Sequence, residues 1–245
     1  MIGDILTVVW KEWREFRDQI FRLKRGGLSA LIALLMLGVF TPLQMGMIWL
    51  TSSLMLAYWP LLASGMVSTL IADAFAGERE RHTLEALLAT RLSDSAILVG
   101  KVIAAVLYGL LFTLVNILVG LVVLLSRHWG EDWVAPPISH LLLIVVLVTL
   151  ACATLAGVGV FISLRAATVR QAQQTLGVLM MVLFIGPFLF LQMLGPEARL
   201  RFAAQLTQVG VDAITMWAII GLGAAALVLN LLALARFRRG KLVLD

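Results

Sequence analysis

The sequence has little charge and few of the residues from which enzymes build active sites. Only 13% of its 245 residues are Asp, Glu, Lys or Arg, against 61% hydrophobic residues and a mean hydropathy of +1.01, which excludes a soluble globular domain. One cysteine, Cys152, leaves no disulfide possible within the chain. The three histidines, His82, His128 and His140, stand apart from any cysteine or carboxylate cluster and no HExxH occurs, so no metal site is expected. A phosphate-binding GxxxxGK[ST] is missing: Gly100 and Lys101 are followed by Val102 and lack the upstream glycine, so the chain does not hold ATP by that loop. With no pair of acids at mid-membrane depth and no serine matched to an intramembrane histidine, intramembrane proteolysis lacks its parts. KEWREFRD interrupts the first apolar stretch before any cleavable signal could form, so the first span is expected to direct insertion.

What is present is apolar length. A charge near the bilayer centre costs about 3 kcal/mol, so the uncharged intervals 26–72, 102–126, 133–164, 171–196 and 213–235 mark where the chain can cross. A span takes about 20 apolar residues, and the first interval has room for two. The chain therefore reads as one all-α polytopic membrane domain over 1–245, with six transmembrane helices near 28–48, 55–76, 96–125, 138–163, 174–194 and 213–235. Basic residues are retained on the cytoplasmic side. With both termini cytoplasmic, all of the 19 Lys and Arg except Arg127, Arg199 and Arg201 fall inside. That bias sets the topology and accounts for the net charge of +5 without nucleic acid as a partner.

Within the spans, ATLAGVG (153–159) and GLGAAA (221–226) let helices approach closely, inside the subunit or between subunits. Asp73 falls in the last turn of the second span, where it can pair with a base such as Lys101 or line a substrate path. Asn116, Gln192, Asn230 and Gln44 can line a cavity or bond between helices. Residues 1–26 read as an amphipathic interfacial helix: Ile5, Val9, Trp13, Phe16, Ile20 and Leu23 recur at three- and four-residue steps, with Lys11, Arg14, Glu15, Asp18 and Arg22 mostly opposite. Trp10 and Trp13 suit the headgroup region.

One polar stretch separates the second and third spans: DAFAGERERHTLEALLATRLSDS, residues 73–95. Gly77 is expected to end or bend the incoming helix, and 77–92 to form a short helix on the inner surface with Leu84, Leu87 and Leu88 on one face. Glu78 and His82, and Arg81 and Glu85, are spaced to pair, and Ser93 is placed to cap the third span, with Leu92 and Ile97 as its hydrophobic staple. Topology requires only bases here, yet Glu78, Glu80, Glu85 and Asp94 are also present. The functional reading is a surface that docks onto another protein; the plainer one is a self-paired solvated face.

Extended to Lys101, the segment DAFAGERERHTLEALLATRLSDSAILVGK (73–101) resembles the signature of ABC-2 type transporter permeases: a second span running into acidic and basic residues, then TLE, a leucine pair, and GK at the start of the third span. KEWRE in the first helix and the basic tail ARFRRGK fit the same pattern. His82 stands where that family usually has glycine, and Arg91 where it usually has proline. The resemblance implies the membrane subunit of an ATP-binding cassette transporter in a bacterial or archaeal plasma (inner) membrane. Two permease subunits, identical or different, would form the path through the lipid, most often for export. Separate ATPase subunits would carry the ATP and Mg, this chain binding no cofactor. Residues 77–92 would be a coupling helix seated in a groove of the ATPase. Gly77, Glu78, Arg79, Glu80, Arg81, His82, Thr83 and Glu85 would lie at that interface, Leu84, Leu87 and Leu88 would fill the groove, and Trp10, Lys11, Glu12, Trp13, Arg14 and Phe16 would brace it. Two readings from other classes stand beside this one: a membrane scaffold that recruits a cytoplasmic protein, and an ion-driven secondary carrier, for which the intramembrane charge is sparse.

Overall fold

The computed structural model describes residues 1–21, 26–83, 89–127 and 136–237, and every regular element among them is a helix. Backbone that crosses lipid must satisfy its own hydrogen bonds, which long uncharged intervals do by coiling. An amphipathic helix, α1 (Ile2–Phe21), opens the chain. Five helices among the described residues are long and apolar enough to cross a membrane: α5 (Ser53–Glu80), α6 (Asp94–Arg127), α7 (Ile138–Arg165), α8 (Val169–Met193) and α10 (Val211–Arg236).

These five answer to the second to sixth of the expected spans. Over the first, near 28–48, the helical backbone runs without a gap from Gly26 to Met45 as α2 (Gly26–Leu34), a π-helical stretch Leu35–Phe40 and α3 (Thr41–Met45), and α4 (Ile48–Thr51) follows. The irregularities have local causes. Pro42 brings no amide donor, the Thr41 amide and hydroxyl both donate to the Met36 carbonyl, and Gly46 turns the chain at φ 58. A further helix, α9 (Pro196–Val209), occupies what reads in sequence as an outer connection. Pro196 opens it and Gly210, at φ 79, follows its end.

The long helix α7 is central, packed against α5 on one side and α10 on another, with α6 and α8 alongside and α1 lying on α6. Its small residues are used inside the subunit. Thr154 donates to the Leu222 carbonyl at 3.1 Å, and Asn230 donates to the Ala153 carbonyl at 3.0 Å. Such close contact replaces the hydrophobic drive that lipid does not provide between helices. By contrast, α8 and α10 leave large apolar side chains uncovered, including Leu189, Phe190, Leu227 and Leu231.

Candidate functional site

The polar stretch after the second span begins inside a helix. Gly77 does not end α5, which continues to Glu80. A Cβ at Gly77 would stand 2.0 Å from Asp73 Oδ1. The missing side chain therefore lets the Asp73 carboxylate lie back along the helix to Arg81, two turns on, with both oxygens 2.7 Å from Nη2. This pair replaces the expected one between Asp73 and Lys101, and the hydrogen bond to Asp73 holds the Arg81 guanidinium above its ordinary pKa. Helix α5 stops at His82, whose φ is 56. The Thr83 amide bonds to the Glu78 carbonyl at 2.8 Å and the His82 amide to the Arg79 carbonyl at 3.0 Å, the pair of bonds that closes a helix through a left-handed residue.

Glu78 turns inward. It is 4% exposed, and its Oε1 accepts from Lys101 Nζ at 3.0 Å and Lys11 Nζ at 2.9 Å. Lys101, 3% exposed, also donates to Glu12 Oε1 at 2.7 Å and lies 5.3 Å from the centre of the Phe75 ring. Three elements, α1, α5 and α6, thus meet at one ion cluster. Gly100 permits the meeting, since a Cβ there would stand 2.7 Å from the side chain of Val8 in α1. Burying these ions is tolerable only because each finds an opposite charge. Burial pulls the Lys11 ammonium down, but the hydrogen bond to Glu78 and the charges of Glu78, Glu12 and Glu15 outweigh it, and the pKa lies above its ordinary value.

The next two charges reach the other helices. Arg79 donates to the carbonyls of Ala166 at 2.7 Å and Leu164 at 2.8 Å, capping the C-terminal end of α7, where a cation is favoured. Glu80 Oε2 accepts from the Val169 amide at 3.2 Å, at the start of α8, where an anion is favoured. Four consecutive charges therefore serve four destinations: the α1–α6 cluster, the end of α7, the start of α8, and Asp73 within α5 itself. The expected pair of Glu78 with His82 does not form, because the lysines take that carboxylate. The exposed face that remains beyond the root comprises His82, Thr83 and, after the segment, Ala89, Thr90 and Arg91. Leu84, Glu85, Leu87 and Leu88 lie outside the described residues. Ser93 caps α6 as expected, its hydroxyl accepting from the Ala96 amide at 3.2 Å.

In α1, Lys11 and Glu12 join the cluster, Phe16 packs edge-on to Tyr108 with ring centres 4.1 Å apart, Arg14 is exposed, Trp13 is half-buried, and Trp10 is 69% exposed. Asp73, Asn116, Gln192 and Asn230 are not gathered into one cavity. Asn116 is fully buried and donates to the Phe112 carbonyl of its own helix, Asn230 bonds across to α7, and Gln192 is exposed near the end of α8, its main-chain carbonyl accepting from Arg199. The sequence reading missed Lys101 as the centre of the cluster. The available signal was a lysine standing directly after Gly100, within the opening turns of an otherwise apolar helix.

Fold and site together define a multi-pass helical membrane protein in which the polar stretch after α5 is joined to α1, α6, α7 and α8. Residues 59–242 match the ABC-2 family transporter protein family, and the chain belongs to it. It is accordingly a membrane permease of an ABC transporter. A comparison with curated proteins finds no match.

Proposed function

We propose that this chain is the permease subunit of an exporter and that residues 77–92 couple it to a cytoplasmic ATPase carrying the ATP and Mg. Two permease subunits, identical or different, enclose the path in a bacterial or archaeal inner membrane, with both termini cytoplasmic. The observation that supports coupling is the buried cluster of Lys11, Glu12, Glu78 and Lys101 at the root of the segment. A loop that merely connected two spans would gain nothing from such bracing, since exposed charges in water satisfy topology at no desolvation cost. With the root fastened, the segment beyond it enters a groove on the ATPase, and force applied there reaches α1, α6, α7 and α8 together.

The division of labour differs from a uniform interface over 77–92. Glu78, Arg79, Glu80 and Arg81 transmit; the tip docks, with Leu84, Leu87 and Leu88 as its apolar contacts. The test is copurification from native membranes after gentle solubilisation. The native chain should bring an ATP-binding cassette ATPase with it, and Leu87→Asp should lose that ATPase while remaining inserted and monodisperse. An ATPase retained at full yield and full activity by Leu87→Asp would overturn the assignment of the tip.

A further inference from the structure

Ser163 lies in the penultimate position but one of α7 and is fully buried. Its hydroxyl accepts from the amides of Phe75 and Ala76, each at 3.1 Å, and donates to the Ala72 carbonyl at 2.9 Å. A hydroxyl has one proton and two lone pairs, so its whole capacity is used, and all of it on a single turn of α5. In an undisturbed α-helix the Ala72 carbonyl and the Ala76 amide bond to each other; Ser163 engages both ends of that rung. Insertion of a side chain into the helix ladder is one of the few ways in which a helix acquires a bend. The two backbones are held close one turn earlier as well, where a Cβ on Gly159 would stand 2.3 Å from Ile71 Cγ2.

We infer that the turn from Ala72 to Ala76 is a flexure built into α5, that Ser163 is the positioning residue which holds it, and that the cytoplasmic end of α5 pivots there as the ATPase changes nucleotide state. The inference rests on the coupling role proposed above. Its place in the chain is telling: the rung lies between the ion cluster at Glu78 and the membrane-embedded length of α5, so a push on the tip that travels along α5 must pass through it. The chemistry allows a second arrangement. When the hydroxyl withdraws, the intrahelical rung between the Ala72 carbonyl and the Ala76 amide serves both groups, and the hydroxyl can turn to the carbonyl one turn back in its own helix, so no polar group is orphaned in the dry interior. A packed element with two satisfied arrangements is what a discrete conformational step requires. Three of the five side chains at the turn, Ala72, Ala74 and Ala76, are small and Gly77 follows, while Phe75 holds the turn against Phe237.

The experiment is amide hydrogen exchange on the complex of this chain with its copurified ATPase in lipid nanodiscs, read by mass spectrometry on peptides covering Ala72–Ala76, with and without a non-hydrolysable ATP analogue. Exchange at Phe75 and Ala76 is expected to differ by about tenfold between the two conditions, a change in local opening equilibrium. Ser163→Ala should keep the ATPase but lose the nucleotide response, and Ser163→Ala with Ala76→Gly should recover it, because glycine loosens the turn without a hydroxyl. Nucleotide-independent exchange in the native complex, or an undiminished response in Ser163→Ala, would overturn the flexure. Should Ser163→Ala yield no complex, the native measurement decides alone. Failure of the native chain to bring down any ATPase is seen before exchange is measured and overturns the coupling role itself.

Discussion

Removing Lys101 tests whether the ion cluster is a joint or an ornament. Its ammonium is 2.7 Å from Glu12 Oε1 and 3.0 Å from Glu78 Oε1, with side chains 2% and 5% exposed for Lys101 and Glu78. Two unit charges 3 Å apart attract by about 5 kcal/mol at an effective dielectric near 20, and desolvation of both ions offsets much of this. The net value of the pair is therefore small, while one-sided removal is costly, up to about 3–5 kcal/mol, because the surviving buried ion keeps only part of its pairing. Lys101→Met keeps the volume and removes the charge, leaving Lys11 alone to serve Glu78, Glu12 and Glu15. Glu78→Gln removes the opposite charge. Each variant should unfold at a lower denaturant concentration in mixed micelles than the native chain, and the double variant should lose much less than the sum, with a coupling of about 2 kcal/mol. The same variants should detach α1, seen as a shift in the emission of Trp10 and Trp13. Two single losses that simply add, to within about 0.5 kcal/mol, would refute the reasoning.

Three further outcomes are expected. Gly77→Ala should fail to give the roughly 1 kcal/mol that alanine normally adds to a helix, since its Cβ would displace the Asp73 carboxylate; in an Asp73→Ala background the gain should appear, and equal stabilisation in both backgrounds would contradict this. His82→Gly should raise thermal stability by about 1 kcal/mol, because His82 holds φ 56 without the freedom of glycine; a loss of stability measured by the same melt would mean that its side chain matters more than its backbone. Gly100→Val should lift α1 off α6, since even a Cβ there meets Val8 at 2.7 Å, and protease cleavage within α1 should increase severalfold; native resistance would place the contact elsewhere.

Much of the architecture was legible in the sequence because lipid penalises charge so heavily. The intervals between charged residues locate α5, α6, α7, α8 and α10, and the three- and four-residue recurrence of apolar side chains locates α1. What the pattern could not convey was geometry inside an uncharged interval. Residues 26–51 have the length of a span, but the π-helical stretch ahead of Pro42 and the turn at Gly46 shape it, and hydropathy alone does not weigh either. The helix α9 was hidden for the opposite reason: its arginines and glutamines read as a connection, although Pro196 and Gly210 mark both its ends. At the site, the residue types that matter were visible but their directions were not. Glu78 and Lys101 are 23 residues apart, and Arg79 meets carbonyls 85 and 87 residues away. No local spacing rule reaches that far. Asp73 and Arg81 were within reach of such a rule, since they are two turns apart on one helix, and Gly77 between them was the clue that a side chain passes over it. The glycine usual in ABC-2 permeases at the place of His82 also acquires a reason, as the left-handed residue that closes α5.

The ion cluster also bears on how the protein is made. Glu12 meets a lysine 89 residues further along the chain, so α1 is complete long before Lys101 has been synthesised. Until then Lys11 has only Glu12 and Glu15 of its own helix to pair with. Only when α5 and α6 have both been inserted in the correct register do Glu78 and Lys101 arrive together beneath it. Closing the cluster thus waits on α5 and α6 but not on the three long helices that follow them, and a misplaced α5–α6 hairpin would leave α1 undocked with its charges exposed.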